Sequence, residues 1–329
     1  MSQHTDTIVK MVLDSGRDGP HILLLSGVHG DEYEPMIVNH RLYQQLKGQI
    51  VRGRITFVPN GNETAYQSAS RYGTDGLDLA RICPGNRTGT CSEQSAYLVS
   101  ELIKTADYLI DMHTGGVLYD IFPLAGYGLH TNPDVLNQQR RMALSYGLPL
   151  VWGTDPRPDG RTLSVARDAG IPAIYLEYGG GTGFRSYVVD AYVAGTLNLL
   201  RQLGMIAGEW IKPAPEKVFW IEDARQDSGF LQGKMPSPAD GIYLADARVG
   251  QQIEKGAKWG RLANPVTGTT TDLFADESGL VFLMRNTVKV GEGDALGGIL
   301  PITQPGKVTI DEEGNATKEP EVDFTSVFR

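Results

Sequence analysis

The chain has only two cysteines in 329 residues, Cys83 and Cys91, eight positions apart. Its opening stretch, MSQHTDTIVKMV, has neither a basic n-region nor an apolar h-region, so no secretory signal is expected. The two thiols are therefore expected to be reduced, in a cytoplasmic protein, rather than joined in a disulfide. No run approaches the ~20 apolar residues of a membrane span. Basic excess is missing too: the formal net charge is -9, which argues against non-specific binding to nucleic acid. There is no Gly-x-Ser-x-Gly elbow, which removes the usual α/β serine hydrolase. The Gly179–Gly183 run has neither Gly-x-Gly-x-x-Gly spacing nor a Gly-Lys-Ser/Thr ending, which removes a nucleotide site there. What remains is an ordinary globular composition, 41% hydrophobic and 21% charged, long enough for one large domain and a smaller one.

The first ~210 residues alternate strand-like and helix-like runs, the pattern of an α/β domain with a mainly parallel sheet. HILLLSG (21–27), RITFVP (54–59), YLIDM (108–112) and PAIYL (172–176) read as strands. Residues 35–46, 92–105 (with Ser92 as N-cap), 132–146 and 187–203 read as helices. The Pro-rich joint KPAPE (212–216) marks the expected boundary between a catalytic domain, 1–211, and a small all-β domain, 212–329. Beyond it, short alternating runs are broken by Gly and Asp every ~8–12 residues. The polar tail from Pro305 is expected to be a surface loop or frayed end.

Reactive residues fall at the ends of three of those strands. His29 and Glu32 lie in VHGDE directly after HILLLSG, His113 ends YLIDMH, and Glu177 ends PAIYLE. The carboxyl edge of an open α/β sheet is where ligands bind. Two histidines and one carboxylate are a common catalytic zinc set that leaves a position for water. His-x-x-Glu in a tight turn aims both side chains at one ion, and Gly30 between them lets the backbone fold closely. Glu177 is the candidate proton carrier, passing a proton from water to a leaving nitrogen. Asp111, two residues before His113 on a strand, shares its face and is placed to orient that imidazole. Individually each residue has a bland reading, as cap, core hydrogen-bond partner or surface group; their convergence is what favours a metal site. Arg71 and Arg81 flank TDGLD in a loop-like segment, where guanidinium groups bind carboxylates, neutralise an oxyanion or simply face solvent.

At these residues the chain resembles the succinylglutamate desuccinylase/aspartoacylase family of the zinc carboxypeptidase superfamily. The matching pieces are GVHGDE (27–32), PNGNETAYQSASRYGTDGLDLARICPG (59–85), IDMHTG (110–115) and IYLEYGGG (174–181), in order over ~200 residues. The resemblance implies a carboxypeptidase-like fold, a mixed, mainly parallel sheet flanked by helices. It also implies one zinc ion per chain and removal of an N-acyl group, acetyl or succinyl, from an amino acid. By position, His29, Glu32 and His113 match the zinc ligands, Glu177 the general acid/base, Arg71 the oxyanion arginine and Arg81 the arginine on the substrate carboxylate. The family usually reads Asp-Leu-Asn-Arg where this chain has Asp78-Leu79-Ala80-Arg81, so a substrate-holding amide is missing. That difference counts against N-acetylaspartate and N-succinylglutamate, and the resemblance, through a related subgroup that acts on N-acetyl-diaminobutyrate, makes that compound a candidate. The C-terminal turns resemble a biotinyl/lipoyl-like barrel. ANPVTGTTTDLFAD carries no lysine, which excludes a swinging-arm carrier and leaves capping of the active-site mouth or subunit contacts as its role.

Two other functions fit parts of this pattern: a metallo-carboxypeptidase trimming short peptides, and a non-catalytic zinc-binding protein on the same fold. Neither nucleic acid nor membrane is an expected partner; an assembly of identical chains is compatible with these residues and not specified by them. Two imidazoles and a carboxylate also accept divalent ions other than zinc.

Overall fold

The computed structural model describes residues 8–214, 217–231 and 234–319. The first seven residues, Pro215 and Glu216 of the expected joint, and the last ten residues of the tail lie outside them. In chain order the elements are β1 (Met11–Asp14), β2 (His21–Leu25), α1 (Tyr33–Leu46), β3 (Arg54–Val58), α2 (Glu63–Gln67), a 3-10 turn (Leu79–Arg81), α3 (Cys91–Ile103), β4 (Tyr108–Met112), β5 (Tyr119–Gly128), α4 (Pro133–Ser145), β6 (Leu150–Thr154), α5 (Thr162–Asp168), β7 (Ala173–Gly179) and α6 (Ser186–Gln202). Strands follow: β8 (Phe219–Asp223), β9 (Gly241–Ala245), β10 (Gln252–Ile253), β11 (Lys258–Ala263), β12 (Thr270–Phe274), β13 (Gly279–Arg285), β14 (Lys289–Val290), β15 (Gly297–Leu300), β16 (Gly306–Ile310) and β17 (Ala316–Lys318).

The main sheet runs β1-β3-β2-β4-β7-β5-β6-β8-β16-β17, with β13 pairing to β5 and carrying β10 and β15. Its centre, β3-β2-β4-β7, is parallel throughout, and β5 then enters antiparallel to β7. Residues of the central strands alternate between two cores, as the two-residue period of a strand requires. Ile22, Leu24, Ile110, Met112, Ile174 and Leu176 face the side covered by α1, α4 and α6. Leu23, Leu25, Leu109 and Ala173 face the side of α3 and α5. Because both faces are covered, β2 is buried at all five positions, which is why it reads as a continuous apolar run rather than an alternating one.

Most expected elements are present within a residue or two, with four differences. Thr90, not Ser92, caps α3: Glu93 Oε2 accepts from the Thr90 amide at 2.7 Å, completing a capping box. Ser92 lies inside the helix, its amide and hydroxyl donating to Asp75. β7 continues past Glu177 to Gly179, so that residue lies inside the strand, paired with Leu124 of β5. The tail expected to be loop forms the β16–β17 hairpin, and β16 lies parallel to β8. The segment after the Pro-rich joint is β-rich as expected, but its strands are hydrogen-bonded into the main sheet through β8 on β6 and β13 on β5. A separate four-stranded sheet, β12-β11-β9-β14, completes this region.

Both cysteines are free thiols, and burial pushes the Cys83 thiol up to about 12, leaving it protonated and unreactive at neutral pH. No helix among the described residues is long and apolar enough to cross a membrane.

Candidate metal centre and active site

Strands β2, β4 and β7 are neighbours in the sheet and run parallel, so their carboxyl ends meet at one edge. β2 ends in the turn holding His29, and Glu32 is the residue capping α1. His113 directly follows β4, and its amide donates to the Leu176 carbonyl of β7, 2.9 Å away. The turn depends on two glycines. Gly27 has φ +67, and a Cβ on Gly30 would sit 1.9 Å from the Ala65 backbone, so only glycine lets this turn pack against α2.

The result is a compact trio. His29, Glu32 and His113 each present a donor atom, and these atoms lie within 4.8 Å of one another. Nδ1 of His29 is 2.7 Å from Glu32 Oε1, and Nδ1 of His113 is 2.9 Å from Oε2. Each imidazole turns its other nitrogen to a further carboxylate: His29 Nε2 to Asp78 Oδ1, and His113 Nε2 to Asp111 Oδ1, both at 3.2 Å. A carboxylate behind each imidazole is how proteins fix the tautomer and raise the basicity of a metal-binding histidine. Burial opposes ionisation of Glu32, yet the two imidazoles hold its carboxyl well below the usual range. Burial likewise works against a charged His113, but Asp111 and Glu32 outweigh it and raise its pKa. Two nitrogens and an oxygen already converging, with anionic support on both sides, suit a divalent cation of intermediate softness.

Beside the trio opens a cavity lined by His29, Arg71, Arg81, Asp111, His113 and Glu177, six of the seven residues singled out in the sequence. Glu32, the seventh, is buried behind them at 3% exposure. Glu177 Oε2 is buried with no hydrogen-bond partner among the described residues. Burial raises its pKa well above the ordinary value; His113 and Arg71 oppose that shift, while Glu32 and Asp111 add to it. Arg71 donates Nε to Asp78 Oδ2 at 2.9 Å and brings Nη1 within 3.4 Å of His29 Nδ1. Arg81 is more exposed, with Nη1 donating to the Ala80 carbonyl.

Asp78 and Thr162 are the contributors that sequence reading missed. Asp78 supports His29 and Arg71 together and also caps the 3-10 turn through the Ala80 amide. The only signal was its place in the arginine loop. Thr162, the first residue of α5, donates its hydroxyl to Asp111 Oδ2, a contact between segments 51 positions apart that no local pattern reveals.

A helix-flanked, mainly parallel sheet whose adjacent strand ends bring two imidazoles and a carboxylate to one cavity belongs to the carboxypeptidase-like class of hydrolase folds. The chain belongs to the succinylglutamate desuccinylase/aspartoacylase family: residues 18–203, more than half its length and the whole of the site, match the succinylglutamate desuccinylase/aspartoacylase catalytic domain. It is 27% identical over 296 residues to the N-alpha-acetyl-L-2,4-diaminobutyric acid deacetylase of Halomonas elongata, covering 87% of this chain and 84% of that one. Among solved structures, a succinylglutamate desuccinylase/aspartoacylase from Rhodobacter sphaeroides is similar at 26% identity, 88% coverage of both chains and a TM-score of 0.77. The product-bound Ectoine utilization protein EutE (DoeB) from Ruegeria pomeroyi shares the fold, at 24% identity, 89% and 88% coverage and a TM-score of 0.80.

Proposed function

We propose that this protein is a zinc-dependent deacylase that hydrolyses the amide bond of an N-acyl amino acid, with His29, Glu32 and His113 as metal ligands. The observation carrying this reading is the unpartnered Glu177 Oε2 in the same cavity as the two imidazoles. A bound divalent ion supplies polarisation of the scissile carbonyl and a water acidic enough to attack near neutral pH. Glu177 accepts the proton from that attacking water and delivers it to the leaving nitrogen; its raised pKa suits a group that must both take and give a proton. Arg71, anchored by Asp78, directs its guanidinium at the negative charge that develops on the carbonyl oxygen. Arg81, at the more open side, grips the substrate carboxylate. The Halomonas relative makes N-acetyl-diaminobutyrate the first substrate to try.

Hydrolysis of N-acetyl and N-succinyl amino acids with acidic, basic and neutral side chains, alongside short peptides, tests the proposal. Turnover is expected on N-acyl amino acids; turnover on peptides alone would replace the reading with that of a carboxypeptidase. Arg81→Ala is expected to raise KM mainly, and to leave substrates whose carboxylate is an amide little affected.

The supports behind the ligands carry a second expectation. Asp111→Asn or Thr162→Val loosens the brace on His113 and is expected to weaken metal binding roughly 10–100-fold, measured by competition with a chelator. Unchanged affinity in both variants would remove Asp111 from the metal site.

A further inference from the structure

The main sheet ends in an open edge, far along the strand order from its C-terminal side. β1 pairs with β3 on one side and, among the described residues, with no strand on the other. Which of its backbone groups are free follows from the ladder. The Ser15 amide donates to the Gly53 carbonyl at 3.1 Å, in the same register that sets Leu13 against Ile55 and Met11 against Phe57. Backbone groups of an antiparallel pair alternate in direction. Met11, Leu13 and Ser15 therefore bond β3, while Val12, Asp14 and Lys10, one residue before β1, turn their N–H and C=O groups outward. An unpaired row of this kind is a template for another strand.

The side chains along this edge complement a copy of themselves. Lys10, Val12 and Asp14 are exposed, Val12 at 46%, and strand alternation places all three on one face. Asp14 Oδ1 accepts from the Gly16 amide at 2.7 Å, and Arg54, opposite Asp14 on β3, turns instead to His21 Nδ1 at 3.2 Å. One cation and one anion thus stand at equal distances on either side of Val12. Pairing two such edges antiparallel about a two-fold axis through Val12 sets Lys10 of each copy opposite Asp14 of the other. It also joins the two Val12 residues by a reciprocal pair of backbone hydrogen bonds. On the opposite face it brings together Met11 and Leu13, which are packed against the core beneath α1. An axis through Lys10 or Asp14 would set like charges face to face. One through Met11 or Leu13 would leave the charges opposite Ile8, Val12 or Gly16. Beside the edge, Val9 and Ile37 are 76% and 45% exposed and share an apolar groove with Met11, which adds surface for a partner to cover.

We propose that β1 is the dimerisation edge of this protein: two copies join antiparallel through Val12, with reciprocal Lys10–Asp14 pairs, and extend the main sheet across the two-fold axis. The contact is isologous, so it closes on itself and stops at two copies. It stands independently of the deacylase reading.

Sedimentation equilibrium of the full chain over a dilution series tests this. The wild-type protein is expected to be a dimer. Lys10→Asp and Asp14→Lys each turn two attractive cross-strand pairs into two repulsive ones, and each alone is expected to weaken the dimer roughly 10-fold or more. Mixed in equal amounts, the two variants regain opposite charges at both positions and are expected to associate with each other about as tightly as the wild type. Val12→Pro removes an outward N–H that β3 does not use, so it is expected to abolish the dimer while leaving the melting temperature of the monomer and its activity unchanged. A wild-type protein that stays monomeric at every concentration overturns the proposal. So does a dimer indifferent to both charge reversals, which would place the contact on another surface. Reversals that weaken the dimer without rescue on mixing overturn the Val12-centred register, and the proposal with it.

Discussion

Glu177→Gln is expected to keep its metal and lose turnover by about 10^3-fold or more, because a positioned acid–base group contributes roughly 10^2–10^4 in rate and here one carboxylate serves both half-reactions. The substitution is close to isosteric and falls inside β7, between paired positions, so the fold has no reason to change. The neutral amide cannot take a proton from water at neutral pH. KM is expected to move far less than kcat, since the role proposed for Glu177 is on the reacting atoms rather than on the substrate's distant groups. Parallel metal analysis and steady-state kinetics check this: a variant with full metal and near-normal turnover would remove Glu177 from the chemistry.

The second large effect lies at Glu32. Its two oxygens reach both imidazoles and also accept from the Thr114 amide at 3.2 Å, so it links the β2 turn to the end of β4. Zinc sites in small peptides are worth roughly 10–16 kcal/mol shared over four ligands, so one ligand accounts for on the order of 3 kcal/mol, about 100-fold in affinity. Glu32→Gln is expected to lose at least that much and to purify with little metal and little activity. Adding excess metal is expected to restore activity only in part, since the amide lacks the negative charge that the Glu32 carboxylate carries between His29 and His113. A variant that purifies fully metallated, with wild-type turnover, would take Glu32 out of the ligand set.

Much of this site was readable because its residues sit at strand ends. β2, β4 and β7 are covered on both faces, and so appear in the sequence as short apolar runs with abrupt polar endings. Those endings are His29 with Glu32, His113 and Glu177. Asp111 was readable for the same reason, as strand geometry puts it on the His113 face. Asp78 and Thr162 were not. Neither has a local pattern that marks it, and each acquires its place only when a distant segment folds against it: His29 for Asp78, Asp111 for Thr162. β5 was hidden differently. Its sequence YDIFPLAGYG contains Pro123 and two glycines, and the pairing with β7 shifts register between Ile121 and Leu124, so proline is tolerated at an irregularity that no alternation forecasts. The β16–β17 hairpin was concealed by its polarity. β17 is exposed at all three residues, and β16 earns its place by lying along β8.

One coordination sphere, at His29, Glu32 and His113, decides whether this protein is a metal-dependent deacylase. X-ray absorption at the metal edge of the purified protein, with metal content measured on the same sample, examines it directly. The expected result is one zinc per chain bound by two imidazole nitrogens and carboxylate or water oxygens at about 2.0–2.2 Å, with no sulfur. A spectrum dominated by sulfur at about 2.3 Å, or protein that carries no stoichiometric metal while hydrolysing N-acyl amino acids at full rate, would contradict it.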